Sequence, residues 1–305
     1  MSRFAIRDEI LRLDPEKDHF RIAFLSGAYE FPWLTTRALE FALFRTYAVP
    51  SISKLLDETG QFVRAGQRRY DDTSLILAEI SEHGYDSERG RAALRRMNRL
   101  HGRFDIGNDD YLYVLSTFVF EPARWIDRFG WRRTTEHEKL AAYYFWREVG
   151  RRMNIRDIPA TRAAYEQFNI AYEREHFRCT GSNYRVGEAT IRIFLGWYPQ
   201  PLHPVIREAT YALLDDPLRE AFGFPKASNG LRMTVEGALR LRGRFIRYLM
   251  PPRRRPRLLT QEGNRSYPFG YEIERLGPVD VPPDRPVGSR REVSAHAPGD
   301  SAPVD

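Results

Sequence analysis

The sequence predicts an all-α protein, built as a single large multi-helix domain. Three observations support this: apolar residues recur at helical spacing through most of the chain, Gly, Pro and capping residues separate these segments, and strand-like alternation of useful length is absent. With 305 residues, of which 42% are hydrophobic and 13% aromatic, the chain can bury a sizeable core.

The predicted helices follow one another from the N-terminus. Asp14 and Pro15 suit the N-cap and the first position of an early helix. Pro122 predicts a kink or break in a long central helix. Glu138 follows Thr135 at the spacing of a capping box. The other predicted helical segments are 4–13, 34–47, 51–57, 73–82, 89–103, 109–129, 134–153, 162–177, 183–196, 205–214, 217–222 and 235–249.

The C-terminal part changes character twice. Residues 251–277 begin with PPRRRPR and keep aromatics in SYPFGYEIERLG, so we predict an extended flap that completes a domain spanning 1–277. Residues 278–305 are dominated by Pro, Ser, Asp and Arg, which predicts a disordered tail. A chain that ends at Gly277 is therefore expected to fold like the full-length one.

Composition restricts the class of protein. The net charge of +7 comes mostly from arginines, but most of these alternate with acidic residues, as is typical of solvated helix faces. The segment PPRRRPR has no acidic residues and predicts peripheral contact with a membrane. No stretch approaches the roughly 18 apolar residues that cross a bilayer, and MSRFAIRDEILRLD lacks the apolar core of a signal peptide. The single Cys179 suits a reducing compartment, so we expect a cytoplasmic protein.

The segment 89–104 contains a candidate metal ligand. His101 falls on the apolar face of this predicted helix together with Met97 and Phe104, whereas arginines recur every fourth residue on the other side. A buried ring nitrogen without a partner costs about 1–3 kcal/mol, so His101 needs a carbonyl, a carboxylate or a metal. Spacing alone leaves open both a hydrogen-bonded core histidine and an iron or zinc ligand.

Arg69 and Thr73 form a second candidate group. If a helix begins near Asp71 as its N-cap, the two side chains lie at its first turn, close to free backbone N–H groups. Such a place can hold an anion, for example a carboxylate of a bound cofactor. An ordinary cap with a solvated arginine is the alternative interpretation.

Five sequence blocks follow one another along the chain in this order: RRYDDT, MNRLHGRF, NDDYLYVLSTFVFEPARW, GWR and FWREVGRRMNI. Together they resemble a family of haem-dependent oxygenases. The family comprises the fungal mycophenolic-acid pathway (MpaB-like) oxygenases and the bacterial latex-clearing (rubber) oxygenases. The likeness to the fungal branch runs from LDPEKD to GYEIERLG, over most of the chain. The likeness to rubber oxygenases covers only the Arg-x-x-x-Thr pair and a histidine about one helix later.

This resemblance implies a helical domain that encloses haem b. His101 would be the proximal iron ligand, and Arg69 and Thr73 would lie in the pocket as cofactor-binding and catalytic residues. It also implies that dioxygen cleaves a C=C bond of an isoprenoid-like or other apolar substrate. Two departures are visible: Asp72 stands where rubber oxygenases have a lysine, and the N-terminal membrane anchor of the fungal relatives is not recognisable.

Two other functions remain open. A di-iron carboxylate bundle needs Glu-x-x-His pairs, and the chain contains Glu16-x-x-His19 and Glu173-x-x-His176, with further glutamates at positions 30, 40 and 148. A non-enzymatic basic helical protein would bind nucleic acid through the arginines of residues 89–103 and PPRRRPR, although the interleaved acidic residues disfavour it. A Soret band of the purified protein would separate the haem protein from both alternatives.

Overall fold

The computed structural model describes residues 2–284, which contain α-helices, short helical turns and no strand. The α-helices are α1 (Ala5–Ile10), α2 (His19–Phe24), α3 (Pro32–Thr46), α4 (Pro50–Thr59), α5 (Gln61–Arg64), α6 (Gly66–His83), α7 (Glu88–His101), α8 (Asn108–Phe129), α9 (Glu136–Arg152), α10 (Arg162–His176), α11 (Gly181–Leu195), α12 (His203–Leu213), α13 (Asp216–Phe222) and α14 (Asn229–Leu249). A π-helical turn follows α2 (Leu25–Glu30), and 3-10 turns occur at Gln200–Leu202, Leu259–Gln261 and Ile273–Arg275. The all-α prediction is confirmed.

Helix α8 lies at the centre of this arrangement. It packs against α3, α9 and α10, and 12 of its 22 residues are buried, so neighbours cover most of its surface. The buried hydroxyls of Ser116 and Thr117 donate back to backbone carbonyls of their own helix. The Ser116 hydroxyl also accepts from the Asn169 side-chain amide of α10 at 2.9 Å. Pro122 does not break the helix, which continues to Phe129.

A buried ion pair joins three helices beside α8. Arg45 of α3 donates from Nε to Oε1 of Glu173 on α10 at 2.9 Å, and the Tyr113 hydroxyl of α8 donates to the same oxygen at 3.0 Å. Asp215, which caps α13, also accepts from Arg45. Because a buried charge without such partners would be costly, this network determines how these helices can pack.

The predicted flap is ordered and packs on α6. Ile273 and Leu276 belong to the main hydrophobic cluster, which also includes residues of α6, α7, α8 and α9. Asp71 accepts from the backbone N–H of Ser266 at 3.0 Å, and the backbone N–H of Leu259 donates to Glu82 at 2.6 Å. The flap therefore completes the core and covers one face of α6.

Residues 278–284 differ from the expectation that the tail begins at 278, because they pack against α7. Arg96 is fully buried and donates to the backbone carbonyls of Leu276 at 2.5 Å and Pro282 at 2.8 Å. Asp284 accepts from Arg96 at 3.2 Å and from Arg99 at 2.9 Å. Composition missed this contact because its acceptors are mostly backbone carbonyls. The rest of the predicted tail, 285–305, lies outside the described residues.

We predict that a chain ending at Gly277 is less stable than one ending at Asp284. The shorter chain deprives Arg96 of its acceptors on Val281, Pro282 and Asp284. An unsatisfied buried donor costs about 1–3 kcal/mol, and each kcal/mol lowers the melting temperature of a chain this size by roughly 2–4 °C. Thermal unfolding of the two truncated chains measures the difference, and equal melting temperatures would contradict the role of residues 278–284.

Candidate functional site

Helix α6 begins earlier than its sequence pattern suggested. We expected an N-cap at Asp71, but the helix begins at Gly66, and the backbone N–H of Arg69 donates to the Ala65 carbonyl at 2.9 Å. That expectation was wrong. A Cβ atom at Gly66 would lie 2.9 Å from Cδ1 of Ile193, so this glycine permits the close approach of α11.

Arg69 and Thr73 consequently lie inside α6, one turn apart. An Nη of Arg69 donates to the Thr73 hydroxyl, which in turn donates to the Arg69 carbonyl at 3.0 Å. The guanidinium carbon of Arg69 lies 5.7 Å from the centroid of the Phe62 ring. No carboxylate of residues 2–284 lies within 4.0 Å of this guanidinium. The pair thus presents a positive charge, held by a neighbouring hydroxyl, that an anionic group can neutralise.

His101 ends α7, which packs against α6. Its Nδ1 atom is fully covered and has no hydrogen-bond partner in the described part of the chain. The ring meets Tyr111 edge to face, with centroids 5.7 Å apart. Burial, with an added contribution from the positive charge of Arg69, lowers the pKa of His101 to about 4. The imidazole is therefore neutral at pH 7 and has a free lone pair, as a metal ligand requires.

The predicted apolar face of α7 around His101 is shorter than expected. Helix α7 ends at His101, so Phe104 lies beyond the helix and is 39% exposed rather than on its apolar face. Among the described histidines, His83 also has a covered and unpaired nitrogen, but a carboxylate oxygen of Glu79 lies 3.6 Å from it. His101 has no such neighbour.

Asp72 belongs to a different contact. Its carboxylate accepts a hydrogen bond from the Tyr267 hydroxyl of the flap, and burial raises the pKa of Asp72. The residue at the position of the rubber-oxygenase lysine therefore holds the flap.

A cavity of about 180 Å³ lies between α3, α6, α8, α9 and the π-helical turn. Its walls are mostly apolar and include Leu39, Leu43, Leu77, Phe118 and Trp146. His101, Arg69 and Thr73 do not line it, although the neighbouring Ser74 does. The cavity suits an apolar molecule, and α6 forms part of its wall.

Glu40 is the unusual polar group of this cavity. Burial raises the pKa of Glu40 to about 7. This effect exceeds the opposing ones of the Arg37 guanidinium, 2.6 Å from Oε1 of Glu40, and of the Tyr70 hydroxyl, which donates to the same oxygen. A carboxyl that titrates near neutral pH can accept or release a proton there. The sequence suggests Glu40 only as an iron ligand of a di-iron site, although its position inside the apolar run LEFALF indicates a buried carboxyl group.

The structure does not assemble the residues of a di-iron site. The glutamates considered for it each pair with an arginine: Glu30 with Arg132, Glu40 with Arg37, Glu148 with Arg152 and Glu173 with Arg45. His19 lies against the Tyr85 hydroxyl and the Glu16 carbonyl. Within residues 2–284, no group of three or more His, Cys, Asp and Glu side chains is placed to hold a metal ion.

Residues 37–248 match the family model described as "ER-bound oxygenase mpaB/B'/Rubber oxygenase, catalytic domain". The chain belongs to this oxygenase family. The match contains α6, α7 and the candidate residues Arg69, Thr73 and His101.

Three relatives show the extent of the similarity. The chain is 29% identical over 268 residues to the ER-bound oxygenase mpaB' of Penicillium brevicompactum, covering 82% of this chain and 63% of that relative. It is 29% identical over 236 residues to the ER-bound oxygenase mpaB of Penicillium roqueforti, covering 72% of this chain and 79% of that relative. It is also 29% identical over 258 residues to the ER-bound oxygenase mpaB of Penicillium brevicompactum, covering 82% of this chain and 62% of that relative. The chain thus spans slightly less than two thirds of two of these relatives.

Within residues 2–284, no helix is both long enough and apolar enough to cross a bilayer.

We predict that Glu40 makes the stability of the protein fall as pH rises from about 4.5 to 7. Its folded pKa of about 7 lies above the ordinary value of 4.5, so the folded state holds the proton more tightly than the unfolded state. This stabilisation is complete below the unfolded pKa and lost by the time pH passes the folded pKa. Glu40→Gln should therefore gain stability relative to the wild type over that window, by at most about 3 kcal/mol.

Urea unfolding at about pH 5 and pH 7.5 measures this change. Glu136→Gln is the matched control, because the side chain of Glu136 is 73% exposed on the first turn of α9. Parallel pH profiles for Glu40→Gln and the wild type would contradict the raised pKa.

Proposed function

We propose that this protein is a haem b-dependent oxygenase that cleaves a C=C bond of an isoprenoid-like or other apolar substrate with dioxygen. Each of the two alkene carbons receives one oxygen atom, so the products are two carbonyl compounds and the atoms balance. Membership of the oxygenase family supports the reaction class. The observation that carries the haem assignment is the covered, unpartnered Nδ1 of His101.

His101 is the residue that would hold the haem iron. An imidazole binds iron only as a neutral ring, and the lowered pKa of His101 keeps it neutral at physiological pH without a prior loss of a proton. A core histidine would instead use a carbonyl or carboxylate, and Nδ1 has neither among residues 2–284. Bound haem b supplies redox-active iron for reactions of dioxygen.

Arg69 and Thr73 fit the support of such a cofactor. The guanidinium has no carboxylate of residues 2–284 within 4.0 Å, and its positive charge adds to the burial that lowers the pKa of His101. We assign Arg69 to a haem propionate, since a charged hydrogen bond contributes about 1.5–3 kcal/mol. Thr73 positions the guanidinium through its hydroxyl.

The cavity beside α6 is the proposed place for part of the apolar substrate. Its apolar walls favour a hydrocarbon chain, and Glu40 gives it one group that can exchange a proton near pH 7. The proposal includes dioxygen as cosubstrate and peripheral contact with membranes, where isoprenoid substrates dissolve. Nucleic acid is not part of it.

We predict that His101→Ala folds but loses its haem. The change removes the proposed iron ligand, so the variant should show no Soret band and no dioxygen-dependent cleavage of an isoprenoid alkene such as squalene. Added imidazole should restore the band by occupying the space of the lost ring. His203→Ala is the control, because His203 sits at the start of α12 and its Nε2 atom lies 3.0 Å from the Tyr198 carbonyl oxygen. Equal haem-to-protein ratios in the two variants would rule out the assignment.

We predict that Arg69→Ala binds haem roughly tenfold to hundredfold more weakly than the wild type, as expected for the loss of one charged hydrogen bond. Thr73→Ala should have a smaller effect, since it only frees the guanidinium. Haem titration followed at the Soret band measures both. Arg95→Ala, on the exposed side of α7, controls for the loss of a positive charge. Full haem affinity and full turnover in Arg69→Ala would contradict its role.

A further inference from the structure

The net positive charge of this protein arises from one segment. Residues 229–257, which form α14 and the start of the flap, contain nine arginines and one glutamate, a net charge of +8. The other 276 residues contain 39 basic and 40 acidic residues, so their net charge is −1. The excess charge of the chain is therefore a property of one surface element and not of the protein as a whole.

Helix α14 has one packed and one free face. Val235, Leu239 and Ile246 lie on the side that packs against the domain. Leu241, Phe245 and Tyr248 follow one another at i, i+4 and i+7 on the opposite side and are 65%, 51% and 73% exposed. Leu249 and Met250 extend this apolar stripe, being 69% and 48% exposed. A stripe of five large exposed side chains calls for an apolar partner.

Most of the arginines around the stripe have no carboxylate partner within the described residues. Arg240 pairs with Glu236 at 2.9 Å. The unpaired ones, for which no carboxylate of residues 2–284 lies within 4.0 Å, are Arg242, Arg244, Arg247, Arg253, Arg254 and Arg255. Charges that are left unpaired around an apolar stripe are complementary to a surface that is anionic outside and apolar inside.

A groove of about 390 Å³ opens at the C-terminal end of the same stripe. Phe245, Ile246 and Met250 line it together with three arginines, Arg3, Arg242 and Arg253. Glu30 also lines it, but its carboxylate pairs with Arg132. Arg242 lies over the ring of Trp33 at 4.0 Å, and burial lowers the pKa of this arginine. The groove thus joins an apolar wall to partly desolvated guanidinium groups, which suits a lipid with an anionic headgroup.

We propose that the outer face of α14 and the PPRRRPR segment form a membrane-docking surface for anionic lipid bilayers. The apolar stripe enters the headgroup region, and the unpaired arginines contact lipid phosphates and carboxylates. The inference is independent of the proposed cofactor, because no residue of the surface belongs to the region of His101, Arg69 and Thr73.

Nucleic acid and a second copy of the chain fit these observations less well. A nucleic-acid site would use the arginines but leave Leu241, Leu249 and Met250 without a role, since stacking requires aromatic rings. A second copy would bring the same +8 segment against itself, which like charges oppose. An anionic bilayer uses both the charge and the apolar stripe.

The full chain is tested by co-sedimentation with vesicles of phosphatidylcholine alone and with roughly 30% phosphatidylserine. We expect binding only to the anionic vesicles. Arg253→Gln/Arg254→Gln/Arg255→Gln should bind about a hundredfold more weakly, at roughly fivefold per basic residue. Phe245→Ser/Leu249→Ser should bind at least tenfold more weakly at unchanged net charge, which a purely electrostatic contact does not predict.

The control variant is Arg91→Gln/Arg95→Gln. These two arginines are exposed on α7 and have no carboxylate of residues 2–284 within 4.0 Å, so this variant removes two positive charges elsewhere on the protein and is compared with the triple variant per charge removed. All variants should keep the helical circular dichroism and haem content of the parent protein. Equal loss in the control, unchanged binding by Phe245→Ser/Leu249→Ser, preferred binding to duplex DNA, or dimerisation through α14 would each overturn the proposal.

Discussion

The arrangement of this protein depends on the burial of helix α6. A buried helix must satisfy every face that it presents, and the faces of α6 meet three different surroundings. Arg69 and Thr73 lie toward the end of α7. Four small or apolar side chains line the cavity: Ser74, Leu77, Ala78 and Ser81. Four carboxylates face the flap: Asp71, Asp72, Glu79 and Glu82. The candidate cofactor region, the candidate substrate cavity and the C-terminal flap therefore share one helix.

The flap face of α6 shows how buried carboxylates are accommodated with few cations. Tyr267 and Tyr271 donate to Asp72 and Glu79, and burial raises the pKa of both phenols, so they remain donors. On α7, Arg96 performs the reverse role and gathers backbone carbonyls of the C-terminal segment. The flap is thus held by polar contacts at sites that exclude water, where an unpaired group would be expensive.

Chemistry and membrane contact are assigned to separate elements of the fold. The oxygenase proposal rests on a neutral imidazole at the end of α7 and an arginine of α6 without a carboxylate partner in residues 2–284. The docking proposal rests on α14, whose outer face combines apolar side chains with unpaired arginines. An apolar substrate links the two, because such molecules concentrate in bilayers, and a docked enzyme reaches them without their passage through water.

The sequence by itself determined the all-α class, most helix positions, the flap and the family, because helical periodicity, caps and the order of the sequence blocks can be read along the chain. It also singled out His101, since an imidazole on an apolar stripe needs a partner. Only the tertiary structure decided that α6 begins at Gly66, that residues 278–284 pack on Arg96, and that Glu40 titrates near neutral pH. Each of these depends on which distant residues approach: Ile193 beside Gly66, backbone carbonyls around Arg96, and apolar walls around Glu40. Burial and desolvation arise from such contacts, and the local sequence pattern contains no record of them.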